Sequence, residues 1–132
     1  MKAFPRAIAA DERLVRARDM MEENHVRHLP VTRAGRLTSV ISAVEVERVL
    51  ESRRGQAADL KVGDACSHDA YIVDVTALLD EVLVEMARRQ VDCALVVKEG
   101  RLAGIFTATD ACRALADLLR EIFPVAGGGD AA

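Results

Sequence analysis

Hydroxyl and carboxylate side chains follow an apolar segment at residues 102–110, which reads Leu-Ala-Gly-Ile-Phe-Thr-Ala-Thr-Asp. The apolar part favours a buried strand, in which Gly104 would permit close approach of a backbone or a ligand. Thr107, Thr109 and Asp110 then fall where a helix should begin, and the free N–H groups of a helix N-terminus favour anions such as phosphate. A carboxylate beside them is a good acceptor for the vicinal hydroxyls of a ribose. The segment therefore predicts a site for a nucleoside phosphate.

The same residues also have a purely structural interpretation. Ser, Thr and Asp are the residue types that most often cap helices, and on this segment alone an ordinary cap is the simpler explanation. Both interpretations stay open until the rest of the chain is considered.

The composition restricts the classes of protein to which the chain can belong. Its 132 residues are about one domain by length, with 51% hydrophobic and 30% charged residues, so we expect a globular domain that folds without metals or disulfides. A net charge of −3, with one Tyr and no Trp, argues against a nucleic-acid partner, which needs a basic face and usually aromatic side chains.

The cysteines and histidines are not spaced like ligands of a metal site. Cys66, Cys93 and Cys112 contain no Cys-x-x-Cys pair, which also argues against a disulfide framework. His25 and His28 lie three residues apart without a third ligand nearby, so no metal is expected. The first residues lack the apolar run of a signal peptide, and no stretch approaches the roughly 18 apolar residues of a membrane span. We therefore expect a cytoplasmic protein without a membrane partner.

The two halves of the sequence match each other without gaps when Met21 is aligned with Met86. The same alignment pairs Val26 with Val91, Val31 with Val96, Gly35 with Gly100, Ser42 with Thr107, Glu45 with Asp110, and Leu50 with Leu115. The turn that carries the hydroxyls and the carboxylate therefore has a counterpart in the first half of the chain.

Each half is predicted to form a β-α-β-β-α unit. The expected strands are 6–9, 29–32 and 37–42 in the first half and 71–73, 94–98 and 102–107 in the second. The first helix of each half has apolar residues at a 3.6-residue period and is expected to start at the caps Asp11 and Thr76. The second helices are expected over 44–51 and 109–121, after hairpin turns at Gly35 and Gly100.

The domain organisation follows from the repeat. We expect a first repeat over residues 1–60, a second over 61–124, and a mobile tail over 125–132, which contains three consecutive glycines. Residues 52–59 are polar and should form an exposed connector. A unit of this size cannot bury both faces of its sheet alone, so the two halves must pack on each other.

The doubled pattern resembles a known family. It consists of Val26-Arg27-His28-Leu29-Pro30-Val31, then Gly35-Arg36-Leu37, then a strand that closes in Ser or Thr with two residues before an acid. This pattern resembles the cystathionine-β-synthase (CBS) domain, here in tandem, over about residues 5–123. The resemblance implies an α/β (α+β) fold in which two β-α-β-β-α CBS repeats pack with pseudo-twofold symmetry into one module, often called a Bateman module.

The resemblance also implies a regulatory function without catalysis. Modules of this family bind AMP, ADP, ATP or S-adenosylmethionine in clefts between the repeats, and no cofactor is required. Each cleft takes its hydroxyl-x-x-Asp from one repeat and its wall from the other repeat's hairpin start and incoming strand. The implied partners are an adenine nucleotide, a second copy in a homodimer paired through helices, and a separate effector protein.

The first cleft is the one that we expect to bind the ligand. By resemblance it comprises Ala7, Ile8, Val26, Arg27, His28, Thr107 and Asp110. Asp110 would accept the ribose hydroxyls, while Thr107 and the helix N-terminus meet a phosphate to which Arg27 donates. Val26 and Ile8 would sandwich the base. The alternative is that Arg27 and His28 are ordinary hairpin residues.

The second cleft departs from the family pattern. By resemblance it comprises Ser42, Glu45, Cys66, Ser67, Ala70, Tyr71, Val91, Asp92 and Cys93. Ser39 replaces the glycine that the second half keeps, Glu45 is one methylene longer than Asp, and Asp92 stands where the first cleft has Arg27. Because a carboxylate beside a phosphate is unfavourable, this cleft is expected to be empty or to take an uncharged ligand.

The alternatives to a ligand-binding module are an interaction module of the same fold and an enzyme. A ligand-free dimerisation or interaction module of the same fold is the main alternative, since Ser39, Glu45 and Asp92 depart from the binding pattern. An enzyme is disfavoured because the sequence lacks a nucleophile elbow, a metal-spaced cluster and a Walker-type loop. The last helix has an apolar stripe, part of which should face its own core and part a partner. This stripe comprises Leu115, Leu118, Leu119, Ile122 and Phe123.

Overall fold

A computed structural model describes residues 2–3 and 6–124 of the chain. The strands are β1 (Lys2–Ala3), β2 (Ile8–Ala9), β3 (His28–Arg33), β4 (Arg36–Ser42), β5 (Ile72–Asp74), β6 (Cys93–Lys98) and β7 (Arg101–Thr107). The helices are α1 (Leu14–Asn24), α2 (Ala43–Ser52), α3 (Val62–Ala65), α4 (Leu79–Arg89) and α5 (Ala108–Ile122), with a 3-10 helix at Arg54–Asp59 between α2 and α3. The expected tail, residues 125–132, lies outside the described residues.

The tandem β-α-β-β-α architecture is confirmed. One sheet has the strand order β2-β3-β4, and the other has the order β1-β7-β6-β5. In each repeat the first strand pairs in parallel with the second, which forms an antiparallel hairpin with the third. Three pairs of elements begin and end at residues that the alignment of the two halves pairs with each other. These pairs are β3 with β6, β4 with β7, and α1 with α4. The repeat in the sequence is therefore a repeat in the structure.

The turns of the two hairpins lie at Gly35 and Gly100, as predicted from the sequence. Ala34 and Gly35 have φ values of 50° and 79°, and Glu99 and Gly100 have values of 52° and 78°. Two consecutive left-handed residues are the requirement of the two-residue type I′ turn, whose twist matches that of the flanking strands. Glycine at the second position adopts this conformation without steric cost.

The predicted caps of the first helices are wrong. Helix α1 follows Arg13 and α4 follows Leu78, and neither residue makes a side-chain capping bond. A backbone turn comes first in each repeat, because the Glu12 N–H donates to the Ala9 carbonyl at 3.1 Å and the corresponding bond in the second repeat is 2.9 Å long. Thr76 instead donates its N–H and hydroxyl to the carboxylate of Asp74.

The core of the first repeat is closed by residues 60–65, which we call the covering segment. Leu60, Val62 and Ala65 are buried against α1 and the first sheet. Three backbone hydrogen bonds fix the segment: the Leu14 N–H donates to Leu60, the Val62 N–H to Glu12, and the Gly63 N–H to Ala10, at 2.8 to 2.9 Å. Helix α3, which lies in this segment, was not among the elements predicted from the sequence.

The two halves pack on each other, as expected. Val40 of the first repeat forms one apolar cluster with Cys93, Leu95 and Ile105 of the second. Helix α5, by contrast, has no buried residue, and the stripe at Leu115, Leu118, Leu119, Ile122 and Phe123 is between 46% and 68% exposed. The expectation that part of this stripe faces the core is therefore wrong. In the first repeat the covering segment follows the second helix, whereas the described chain ends at Pro124 soon after α5.

None of the described helices is both long enough and apolar enough to span a bilayer.

Candidate functional site

A cavity of about 290 Å³ lies between the two repeats at the second cleft. Its wall comes from the β4–α2 junction of the first repeat, from the start of β6, and from the connector that leads into β5. The lining residues are His28, Val40, Ser42, Val44, Glu45, Arg48, Ser67, His68, Asp69, Ala70, Tyr71, Gln90, Val91, Asp92 and Cys93. The structure therefore brings together Ser42, Glu45, Ser67, Tyr71 and Asp92, while ligand binding by them stays a prediction.

Ser42 and Glu45 form a reciprocal cap at the N-terminus of α2. The Ser42 N–H donates to Oε1 of Glu45 at 2.9 Å, and the Glu45 N–H donates to Oγ of Ser42 at 3.1 Å. The second carboxylate oxygen of Glu45 accepts from the Ser67 hydroxyl at 2.7 Å. Glu45 thus links the N-terminal cap of α2 to Ser67, which lies in the segment that leads into β5. Both carboxylate oxygens of Glu45 therefore have a structural role.

Carboxylates predominate among the charged groups of this cavity. Glu45, Asp69 and Asp92 line it together with one guanidinium, that of Arg48. Arg48 and Asp69 were not among the predicted site residues. The signal for Arg48 was present in the repeat, because Arg48 follows Glu45 by three residues just as Arg113 follows Asp110. The balance of charge disfavours an anionic ligand in this cleft.

His28 contacts Asp92 across the boundary between the repeats. Its Nε2 atom lies 3.8 Å from Oδ2 of Asp92 and makes no hydrogen bond within the described part of the chain. Burial lowers the pKa of the His28 imidazole below its usual value, although the Asp92 carboxylate acts in the opposite direction. His28 faces the second cavity, so the structure adds this residue to the second cleft.

The lowered pKa of His28 gives a pH-dependent contribution to stability. Because the folded state favours the neutral imidazole, this contribution is complete above the unfolded pKa of about 6.5 and is lost as the pH falls through the lower folded pKa. We expect urea unfolding to show a smaller loss of stability between about pH 7.5 and pH 5 in His28→Gln than in the parent. If the stability of His28→Gln changes with pH as much as that of the parent, the His28 imidazole is not the origin of this pH dependence. The charges that act on the imidazole in the parent are those of Asp92, Arg27 and Glu45.

The three free cysteines differ in burial, and this predicts their reactivity. Burial, with Asp92 and Glu45 nearby, raises the pKa of the Cys93 thiol to about 12, and burial also raises the pKa of Cys66. Cys112 is exposed. Because the thiolate is the reactive form, a maleimide at about pH 7.5 should label Cys112 first and Cys93 only after unfolding. Mass spectrometry of the labelled peptides measures the order, and early labelling of Cys93 would show that its strand opens.

Thr107 and Asp110 form the corresponding cap at the N-terminus of α5. The Thr107 N–H donates to Oδ2 of Asp110 at 2.9 Å, and the Asp110 N–H donates to Oγ1 of Thr107 at 3.2 Å. Burial alone would raise the pKa of Asp110, but the hydrogen bonds from Thr107 outweigh it and the pKa is lowered. Nη1 of Arg113 lies 3.8 Å from Oδ1. Thr107 and Asp110 therefore form an ordinary helix cap, as one of the two interpretations of the sequence predicted. The cap places an ionised carboxylate at the N-terminus of α5.

The other residues of the predicted first cleft lie in different surroundings. Val26 and Arg27 line a second cavity, of about 650 Å³, between α1 and the start of α2. Arg27 is exposed, and its carbonyl accepts from the Ala43 N–H at 2.8 Å. Ala7 is exposed, but Ile8 is 3% exposed in the core of the first repeat. The side chain of Ile8 therefore packs in the core of the first repeat. It does not supply an apolar wall to the first cleft.

No group of three His, Cys, Asp or Glu side chains within residues 2–3 and 6–124 is placed to hold a metal ion.

The comparisons with known proteins agree with the repeat. The sequence model of the CBS domain matches residues 1–52 and 62–117. No curated protein matches the chain. Among solved structures, the Hypoxic Response Protein I with two coordinated zinc ions is 25% identical, with a TM-score of 0.71 over 86% of this chain and 92% of that chain.

Two further structures support the fold at lower identity. A CBS-domain containing protein from Agrobacterium tumefaciens is 17% identical, with a TM-score of 0.73 over 86% of this chain and 85% of that one. The CBS domain pair of protein MJ0100, in complex with 5′-methylthioadenosine and S-adenosylmethionine, is also 17% identical, with a TM-score of 0.73 over 89% and 93% of the two chains.

Proposed function

Because this chain belongs to the CBS domain family as a tandem CBS pair, we propose that it is a regulatory module that senses an adenosine-containing ligand and is not an enzyme. The observation that carries the proposal is the pair of hydroxyl-x-x-acid caps at the starts of α2 and α5. The first of these caps faces the β6 start of the other repeat across a cavity. By a pseudo-twofold relation, the second cap would face the start of β3 in the same way.

The first cleft is the proposed site for the ligand. Thr107 and the N-terminal N–H groups of α5 would meet a phosphate, to which Arg27 would donate from the other repeat. A carboxylate has about four lone-pair directions, so Asp110 can accept ribose hydroxyls while it retains the bond from Thr107. AMP, ADP, ATP and S-adenosylmethionine all contain the adenosine that these contacts recognise.

The second cleft is proposed to remain empty or to take an uncharged ligand. Glu45, Asp69 and Asp92 would repel a phosphate there. The MJ0100 CBS pair binds 5′-methylthioadenosine and S-adenosylmethionine, neither of which carries a phosphate. 5′-Methylthioadenosine is uncharged, and an adenosyl compound of that kind is a ligand that the charges of this cavity would tolerate.

The module is proposed to act on a separate effector protein in the cytoplasm and to form a homodimer. Five exposed apolar side chains on the last two turns of α5 and just after it support a contact with a second copy. Regulation would then require the ligand to bind one arrangement of the module more tightly than another.

Titration calorimetry on the purified chain tests the proposed function. AMP, ADP, ATP, S-adenosylmethionine and NAD are injected separately, and at least one adenosine-containing ligand is expected to give a saturable heat signal with about one site per chain. A thermal shift must accompany it, because ligand at about 100 times its Kd stabilises the folded state by about 2.7 kcal/mol. Absence of binding by all five would favour the ligand-free interaction module.

A further inference from the structure

The second repeat has an apolar groove at the place where the first repeat is closed by the covering segment. A cavity of about 130 Å³ lies there, close in size to the roughly 150 Å³ apolar cavity that can take up benzene in another protein. We call it the α4 groove, and its apolar lining is Val73, Val75, Leu79, Val82, Val96 and Phe106.

The repeat identifies what such a groove holds. In the alignment of the two halves, the lining of the α4 groove corresponds to Ile8, Ala10, Leu14, Ala17, Val31 and Ile41. All six of these residues belong to the core cluster that contains Leu60, Val62 and Ala65 of the covering segment. The first repeat is thus an internal template in which the same surface is occupied.

Exposure shows that no part of the chain within residues 2–3 and 6–124 covers the second copy of the surface. Leu14 is 0% exposed beneath the covering segment, whereas its counterpart Leu79 is 48% exposed. Ala10 is 7% exposed, whereas Val75 is 45% exposed. The difference therefore lies at the positions that the covering segment protects in the first repeat.

The backbone of the α4 groove offers the same hydrogen-bonding groups. In the first repeat the covering segment uses the Leu14 N–H and the carbonyls of Glu12 and Ala10. The counterparts are the Leu79 N–H and the carbonyls of Ala77 and Val75. Among the described residues, no backbone carbonyl accepts from the Leu79 N–H. A segment that begins with two extended residues and continues as a short helix could therefore pair with this edge as residues 60–63 pair with the first repeat.

Residues 74–81 at the α4 groove carry three carboxylates and no basic residue, whereas the corresponding residues 9–16 of the first repeat carry two carboxylates and two arginines. Asp74 lines the groove, Asp80 and Glu81 lie in the first turn of α4, and all three are exposed. Their counterparts in the first repeat are Ala9, Val15 and Arg16. A segment that binds here is therefore favoured by lysine or arginine beside its apolar residues.

We propose that the α4 groove binds a short basic segment of a partner protein, with two aliphatic residues spaced like Leu60 and Val62 and a glycine after the second. The chain's own residues after α5 do not fit this description, since Gly127 stands at the position of Val62 and Asp130 adds negative charge. A second copy does not supply the segment either, because its residues 60–65 close its own first repeat. This proposal is independent of the nucleotide cleft.

Heteronuclear NMR titration with a synthetic peptide tests the proposal on the full chain. The probe is residues 58–65 of this chain with capped ends and with Asp59→Lys and Asp64→Lys. Saturable shifts are expected at the amides of Val75, Leu79 and Val82. The unmodified peptide should bind at least about fivefold more weakly at low salt, and the difference should shrink at about 0.5 M salt.

Two matched variants and two controls make the result decisive. Leu79→Ser, on a half-exposed side chain in the groove, should weaken peptide binding at least about tenfold. Val84→Ser, on a side chain of the same helix that is 69% exposed and outside the groove, should not change it. Absence of shifts in the groove, or equal effects of the two variants, would overturn the proposal. The proposal would also be overturned if the peptide binds only after removal of residues 125–132, because the chain's own tail would then occupy the groove. Shifts of the groove amides when the protein is diluted without peptide would instead show that a second copy occupies it.

Discussion

Replacing Asp110 with alanine is expected to weaken adenine-nucleotide binding about 100-fold. The carboxylate would accept two ribose hydroxyls, and hydrogen bonds to charged groups contribute about 1.5 to 3 kcal/mol each, so a loss of about 3 kcal/mol is a conservative sum. Titration calorimetry with the tightest ligand of the panel measures the change in Kd. An unchanged Kd would remove Asp110 from the binding site.

Glu45→Ala is the matched control for this variant. It removes the same kind of cap, since the Ser42 N–H donates to Glu45 as the Thr107 N–H donates to Asp110. Each variant should lose about 1 kcal/mol of stability through the cap. Only Asp110→Ala should lose the nucleotide. Equal losses of binding would show that the two clefts do not differ as their charges predict.

Leu14→Ala is expected to lower the free energy of unfolding by about 3 to 5 kcal/mol, whereas Leu79→Ala should cost less than about 1 kcal/mol. The two leucines occupy the same position in the two repeats. Leu14 is fully buried beneath the covering segment, so its truncation leaves a cavity that backbone hydrogen bonds from residues 60–63 prevent from collapsing. Leu79 lies half exposed at the α4 groove, where solvent replaces the lost methyl groups.

Urea unfolding followed by circular dichroism measures both variants against the parent. The comparison uses midpoints at equal m-values, since a change in m would indicate an altered unfolded state. Similar losses for the two leucines would mean that Leu79 is covered by part of the same protein in solution. That result would contradict both the asymmetry of the two repeats and an open α4 groove.

The regular elements could be predicted because their signals are local. Alternating apolar residues and a glycine at each turn placed the strands within one or two residues, as for 29–32 against the observed His28–Arg33. The gapless match between the two halves gave the doubled unit. Together with the family resemblance, this match also placed Ser42 and Glu45 opposite Asp92.

The elements that depend on distant contacts could not be predicted. Helix α3 is four residues long, contains Gly63, and is held by a bond from the Gly63 N–H to the Ala10 carbonyl rather than by helix propensity. Strand β1 has two residues and exists through its antiparallel pairing with Ile105 and Gly104. The expected caps failed because an additional backbone turn precedes each helix.

The parts of the candidate site that depend on distant contacts could not be predicted either. Residue types and spacing identified the two caps, but the bond from Ser67 to Glu45 joins residues 22 positions apart and depends on the path of the connector. Burial of Ile8 likewise follows from the pairing of β2 with β3, which sets the face on which its side chain lies. Period-2 alternation over a two-residue strand carries too little information to fix that face.

Chemical-shift mapping of the tightest adenosine-containing ligand on the isotope-labelled chain tests the central claim most directly. We predict that the largest amide shifts occur at Arg27, Thr107 and Asp110, which come from both repeats and would surround the first cleft. Smaller shifts are expected at Ser42, Glu45 and Asp92. Largest shifts at the second set, or no saturable shifts with any ligand of the panel, would contradict it.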